Sequence, residues 1–442
     1  MSTLAEGPGR RFQRLEDWLR WQETLHPQAI DLGLDRLRVV AAGLGLKRPA
    51  PAVVTVGGTN GKGSCVALLD AMLSAAGMQV GCYTSPHLLR YNERLRIRGR
   101  EVSDQDLCAA FQRVDQARGA ITLTYFEFGT LAALDLLQGA ELDVALLEVG
   151  LGGRLDAVNL VDADVSLVVT VALDHLDWLG PDRDSIGREK AGIFRRGRPA
   201  VVADPAPPVG LLAAAGEIGT RLLTRGRDFE LRRRGDGRWD WLGPSSELCA
   251  LPPPALAGSW QLDNAAAVLT ALHCGPPQLA LERAAIEAGL RQVRLSGRLQ
   301  RLPGPVPVIV DVAHNPQAVA ALAGALAADP VAGRTHAVLA MLADKDSRMA
   351  LTAMAPQVDA WYLATLSGPR GQSGEALAAQ LQALGDRRPR RCFTDVASAE
   401  DAALAAATGA DRVVVFGSFL TAAAALERSA QQPAAALTAT GI

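Results

Sequence analysis

Lysine is nearly missing from this chain. Of 45 basic residues among 442, only Lys47, Lys62, Lys190 and Lys345 are lysines, and the rest are arginines. An ammonium is a compact point charge that can become a neutral, nucleophilic amine, and guanidinium does neither. Each surviving lysine is therefore a place to ask whether arginine would not serve. Cysteine is also sparse: six residues (65, 82, 108, 249, 274, 392) lie scattered with no CxxC pair. That pattern excludes a disulfide framework and a cysteine zinc site, and fits small buried hydrophobes in a reducing cytoplasm. No excess of one charge exists, since 47 acidic residues balance the bases to a net −2. A general nucleic-acid binder would need a basic surface, so that class is set aside. Long uncharged runs are absent too. One of the longest, Asn264 to Leu281, contains Gly275-Pro276-Pro277 and cannot form one membrane-spanning helix. The first twenty residues carry charges throughout and no apolar core, so no secretory signal is expected.

What is present is globular: 49% hydrophobic and 21% charged residues exclude a disordered chain. At roughly 150 residues per domain the length implies two or three domains. In the first half, short β-branched runs (53–56, 79–84, 143–149, 164–173, 199–203) alternate with helical patterns (65–77, 104–117, 125–138, 184–194). This alternation predicts βαβ units around a parallel sheet buried on both faces. Residues 228–242, around Asp236-Gly237, read as an antiparallel hairpin. Helical segments 260–273 and 278–292 close this half, which spans 1–294. A second, smaller α/β domain is expected over 298–430, from strands at 306–312, 336–342, 360–364, 390–393 and 412–416. The tail 431–442 is low in complexity and expected to fray.

Between the first predicted strand and helix lies Gly57-Gly58-Thr59-Asn60-Gly61-Lys62-Gly63-Ser64. Glycines let backbone N–H groups wrap one phosphate, the helix N-terminus adds its positive end, and Lys62 reaches the outer phosphates. The strict Walker pattern asks for Gly at 56 and Ser/Thr at 63, where this chain has Val56 and Gly63, so Ser64 is displaced by one position. The dinucleotide fingerprint GxGxxG is absent.

Three further clusters fall at predicted carboxyl ends of strands, where an open α/β sheet keeps its ligands. They are Thr84-Ser85-Pro86-His87, Glu148, and Asp174-His175. Alone, each has an ordinary structural explanation as a turn, a helix cap or a backbone partner. Together they offer a hydroxyl, a carboxylate and an imidazole, donors that suit Mg²⁺ or Mn²⁺ beside phosphates. Lys190, in IGREKAGIF, follows this crevice. Its ammonium would oppose a metal by like charge, whereas a carbamate formed from CO₂ would be an oxygen ligand. Arginine could not become one.

The ordered set GTNGKGS (58–64), TSPHL (84–88), TYFEF (124–128), EVGLGGRLDAVN (148–159), ALDHLDWLG (172–180), IGREKAGI (186–193), DVAHNP (311–316), MLADKD (341–346) and FGSFLT (416–421) resembles the bacterial dihydrofolate synthase/folylpolyglutamate synthase family, relatives of the Mur ligases. TYFEF and DLGLDR (31–36) are its more folate-like parts. The resemblance implies a P-loop-containing, Mur-ligase-like central ATPase domain plus a smaller Rossmann-like C-terminal ligase domain, closing together around ATP. It implies ATP-dependent joining of L-glutamate to dihydropteroate, giving dihydrofolate, and to folate glutamate tails, through an acyl phosphate. Implied cofactors are ATP, two Mg²⁺ and the CO₂-derived carbamate on Lys190.

Position by position, the resemblance gives Asn60, Gly61, Lys62, Gly63, Ser64, Asn264, Arg298 and Asp311 to ATP, and Ser85, Glu148, His175 and Lys190 to the metals. It gives Thr124, Tyr125, Phe126, Glu127, Arg154, Leu155 and Asp156 to the pterin-benzoate acceptor, with Asp31, Leu32 and Gly33 on a covering loop. His314 and Ser418 orient glutamate, and catalysis falls to Lys62, Lys190, Arg298 and His314. The expected partners are these small molecules, with no nucleic acid and no membrane, for a cytoplasmic monomer. Where the family usually has Pro-Gly-Arg, this chain reads Ser296-Gly297-Arg298, which allows a freer hinge. Other readings are a folylpolyglutamate synthase alone, another Mur-type amino-acid ligase, or a nucleotide-switched binding protein without ligation.

Overall fold

Strand Ala52–Gly57 is buried at every position, as four successive β-branched residues (Val53 to Val56) on a doubly covered sheet should be. In the computed structural model, which describes residues 11–431, it lies inside an eight-stranded sheet. The edge-to-edge order is Arg100–Glu101, Leu95–Ile97, Val80–Tyr83, Val144–Glu148, Ala52–Gly57, Val165–Val168, Pro199–Val202, Arg221–Thr224. The pairs from Val80–Tyr83 onward are parallel, and the two edge strands before it are antiparallel. Chain order reverses at Ala52–Gly57: the next strand, Val80–Tyr83, lies two places to one side, beyond Val144–Glu148, and Val165–Val168 pairs on the other. Such a switch point opens a crevice at the carboxyl ends of the strands.

Helix Lys62–Ala75 follows the central strand directly, and helix Arg283–Gln292 packs on it so closely that a Cβ at Gly289 would stand 2.6 Å from Met72 Cα. Helix Tyr125–Gln138 opens with a capping box between Thr124 and Glu127. Beside it, helix Leu15–Gln22 buries Trp18 completely against Phe111 and Phe128, at ring distances of 6.0 and 6.4 Å. Each such aromatic contact contributes about 0.5–1.5 kcal/mol beyond its buried area, and this packing carries the chain into residues 26–36.

The expected hairpin near 228–242 is present as Glu230–Arg233 and Trp239–Leu242, antiparallel, and gains a third strand, Glu247–Leu251. The run 164–173 departs from the expected single strand, because only Val165–Val168 joins the sheet. Its remainder turns away to brace the phosphate loop.

Contacts divide the chain into two units, Met1–Ala255 with Leu262–Val293, and Leu256–Gln261 with Arg294–Ile442. Thus Leu256–Gln261, inside the expected 1–294 domain, groups with the second unit. That unit holds a six-stranded sheet ordered Gln300–Leu302, Val308–Val310, Arg412–Phe416, Thr335–Leu339, Ala360–Ala364, Arg390–Phe393, parallel except at its first pair. The frayed tail expected at 431–442 lies, but for Gln431, outside the described residues. No helix among the described residues is long and apolar enough to cross a membrane.

Candidate active site

Two glycines shape the phosphate loop for reasons the sequence alone does not reveal. Gly58 has φ +141°, and a Cβ there would meet the backbone nitrogens of Val169 and Thr170 at 3.1 and 3.2 Å. Gly61 has φ +89°, and its Cβ would stand 2.7 Å from Val169 Cγ1 and 3.0 Å from Asn264 Oδ1. Both are left-handed positions pressed against a neighbour, which only glycine tolerates. The loop is laced to the segment after Val168: Thr59 N donates to Thr170 O (2.7 Å), Asn60 N to Thr170 Oγ1 (3.0 Å), and Ala172 N to Thr59 Oγ1 (3.0 Å). Lys62 Nζ donates to the carbonyls of Gly58 and Thr59 at 3.0 and 3.3 Å, and Ser64 is buried. Gly61, the residue before helix Lys62–Ala75, supplies no side-chain cap, so the first-turn amides face an anion-binding position. Gly58→Ala is expected to cost about 1–3 kcal/mol in strain and to lower Tm by several degrees, with nucleotide affinity falling in parallel. Calorimetry and nucleotide titration check this.

The expected metal ligands begin beside that loop. Glu148 pairs in register with Val56, is 4% exposed, and its Oε2 accepts from Ser85 N at 3.3 Å. The structure therefore brings Ser85 and Glu148 together at the ends of neighbouring strands. His175 adopts φ +52° and its amide donates to Asp174 Oδ1 at 3.0 Å. Among the described residues, no three His, Cys, Asp or Glu side chains are grouped to hold a metal ion. Of those types, the expected set contains only Glu148 and His175. Lys190, on helix Arg183–Ala191, is 3% exposed. Burial first, then repulsion from Lys62, lowers its pKa to about 7, against the pull of Asp174 and Asp156.

The acceptor motifs converge on a polar clamp. Glu127 is buried; its Oε2 accepts from Thr124 N (2.8 Å) and Oγ1 (3.0 Å), and both its oxygens take Arg36. Arg36 also bonds Asp31 through side chain and carbonyl, so the loop bearing Asp31, Leu32 and Gly33 is tied to TYFEF. Sequence reasoning singled out both ends of this clamp and missed Arg36, although it stands inside DLGLDR. Phe126 lies against Gly150, where a Cβ would come within 2.5 Å of the ring. Tyr125 and Phe126 are half-buried, and Leu155 likewise.

Arg154, exposed, bonds Glu189 Oε1 through Nε (3.0 Å) and Nη2 (2.8 Å), beside Lys190. Asp156 is 2% exposed and accepts from Leu151 N (2.8 Å) and Val158 N (3.0 Å). Burial raises its pKa to about 6 against those bonds. Its carboxylate shapes the 150–158 loop. Near Ser85, His87 is pushed down to about 4 by burial and the Arg94 guanidinium, so it is a neutral acceptor at physiological pH.

Asn264, on helix Trp260–Cys274, reaches Gly61 as noted. The remaining candidates belong to the second unit. Arg298 lies 5.3 Å from the Phe419 ring centre, and the His314 ring is 5.9 Å from it. His314 Nδ1 is bonded to Val312 O (2.8 Å). Asp311 is buried, accepts from Leu299 N and Ala313 N (2.8 Å each), and is raised by burial against the nearby Arg298 charge. Ser418 is buried on Thr421 (Oγ to Oγ1, 2.7 Å).

Comparison with known proteins places these arrangements in context. Residues 297–419 match the Mur ligase, glutamate ligase domain. The chain is 48% identical over 413 residues to the Escherichia coli (strain K12) dihydrofolate synthase/folylpolyglutamate synthase, covering 93% of this chain and 95% of that one. Among solved structures it is similar to E. coli FolC in complex with DHPP and ADP (TM-score 0.90, 47% identity, 96% and 99% of the two chains). It is also similar to a bifunctional folylpolyglutamate synthase/dihydrofolate synthase with Mn, AMPPNP and L-glutamate bound (TM-score 0.88, 44% identity, 96% and 99%).

Proposed function

This chain belongs to the dihydrofolate synthase/folylpolyglutamate synthase family, and we propose that it joins L-glutamate to dihydropteroate and to folate glutamate tails at the expense of ATP. The observation carrying this is the meeting, within one unit, of a phosphate loop, the Ser85–Glu148 pair on neighbouring strand ends, and the Arg36 clamp joining both folate-like motifs. A carboxylate is a poor electrophile because its charge repels an amine. Transfer of the γ-phosphoryl group from ATP to that carboxylate gives an acyl phosphate and ADP. Glutamate's amine then attacks the carbonyl carbon, and phosphate leaves from the tetrahedral intermediate. The protein supplies positioning and charge neutralisation.

In this reading the Asn60–Gly63 backbone and Lys62 hold the phosphates, with Ser64 and Asn264 beside them. Arg298 and Asp311 serve the same nucleotide, Arg298 against transition-state charge. Tyr125, Phe126, Arg154 and Leu155 contact the acceptor, under a loop bearing Asp31, Leu32 and Gly33. Thr124, Glu127 and Asp156 shape its walls. His314 orients glutamate, and Ser418 holds the loop from which it is approached. Ser85, Glu148 and His175 would hold a divalent ion: hard oxygen and imidazole donors stand where phosphate oxygens would be shared. Such an ion supplies charge neutralisation on the phosphates. The buried Lys190, with its depressed pKa, suits carbamylation, which would add an oxygen donor for a second ion. The enzyme acts as a cytoplasmic monomer on small molecules, without nucleic acid or membrane.

The test is phosphate release. It should require glutamate and an acceptor together, with dihydropteroate and tetrahydrofolate assayed side by side. ATP turnover indifferent to both would remove the ligase reading, and turnover with tetrahydrofolate alone would remove the first activity.

A further inference from the structure

Among the buried cations that the proposed mechanism does not use is Arg94. Arg94 follows the TSPHL motif, is 9% exposed, and lies on the antiparallel side of strand Val80–Tyr83, where its carbonyl accepts from Thr84 N at 2.8 Å. Its Nε donates to His87 Nδ1 at 2.8 Å. Its guanidinium lies against two mutually perpendicular rings, 5.1 Å from the centre of Tyr91 and 5.5 Å from that of Tyr125. No ion pair engages it among the described residues, and its two terminal nitrogens carry no hydrogen bond there. The nearest acid in sequence, Glu93, is spent on the amides of Leu88, Leu89 and Arg90 at 2.7–2.8 Å.

Withdrawing a guanidinium from water is costly unless an anion answers it. The tyrosine faces and the imidazole orient the group, and none of them brings a negative charge to answer it. They leave the flat fork of Nη1 and Nη2 as the remaining donor edge, and that fork matches a carboxylate in bidentate geometry. Tyr125 ties it to TYFEF, and Thr84 ties it to the residue before Ser85.

We propose that Arg94 is a carboxylate-binding residue of the acceptor pocket, holding the acid group of the acceptor beside the phosphate loop. The proposal rests on the ligase reading above. His87, Tyr91 and Tyr125 are positioning residues that fix the plane of the fork. Lysine could replace arginine here only in part, because a point charge would lose the flat contact with the rings and the second hydrogen bond.

The test compares two ligands on the full chain with ADP present: dihydropteroate, and its decarboxylated counterpart 6-(anilinomethyl)-7,8-dihydropterin. The unaltered protein is expected to prefer the acid by roughly 10- to 100-fold. Arg94→Met should bind both equally, with affinity for the decarboxylated compound unchanged, which also reports that the pocket is intact. Arg94→Lys should recover part of the preference. Under turnover, Arg94→Lys should raise KM for the acceptor while leaving KM for ATP in place. An undiminished acid preference in Arg94→Met, or in Arg94→Lys should the first variant not fold, would overturn the proposal. An unaltered protein that bound neither compound would instead overturn the acceptor assignment beneath it.

Discussion

Replacing Lys190 with alanine is expected to remove most ligation, on the order of 10²–10³-fold in kcat, while nucleotide affinity changes little. At 3% exposure, with Lys62 repelling it, the amine has a pKa of about 7, so at neutral pH a large share is uncharged and nucleophilic. The neutral nitrogen attacks the carbon of CO₂, an N–C bond forms, and one proton leaves to solvent. Short carboxylic acids should restore part of the lost activity in Lys190→Ala by standing in for the carbamate oxygens. A fully active Lys190→Arg would end the carbamate idea, since guanidinium cannot take that step.

The sign of the pH effect follows. The folded pKa, about 7, lies below the ordinary lysine value of 10.5. Between those limits the unfolded chain binds more protons, so this residue makes stability rise with pH through that window. Below about 7 the penalty of a buried ammonium is fully present. Activity should therefore fall on the acid side of 7 and recover partly with added bicarbonate.

Lys62→Ala should act on a different quantity. Its ammonium donates only to loop carbonyls at 3.0 and 3.3 Å, so its loss leaves the fold nearly unchanged, within about 1 kcal/mol. The phosphates lose the loop's own cation, and turnover should drop by roughly 10²–10³ with a raised KM for ATP. Steady-state kinetics separates the two predictions, because only Lys62→Ala should raise KM for ATP, and thermal melting checks that neither variant has lost its fold.

How much of this was legible beforehand depends on the range of each contact. Local signals carried far. The Thr124–Glu127 capping box begins helix Tyr125–Gln138 at the expected residue, and Pro316 begins helix Pro316–Ala328. Long-range demands did not show. Residues 164–173 have the composition of one strand, yet Thr170 and Ala172 are drawn off by Thr59 and Asn60, more than a hundred residues earlier. Periodicity cannot register such a partner. Arg36 and Glu127 are 91 positions apart, so neither residue announces the other. Family resemblance gave Asn264 to ATP, but its approach to Gly61 shows only in the folded structure. Arg94 was passed over because an arginine in an arginine-rich chain attracts no notice until its surroundings are known.

The path of the chain between its units has a practical consequence for anyone wishing to produce the nucleotide-binding half by itself. Inserting a stop codon after Ala255 would yield a truncated product without Leu262–Val293. That product would lack Asn264 and the helix that covers Met72. A usable gene fragment has to run on to Val293 and replace Leu256–Gln261 with a short synthetic bridge.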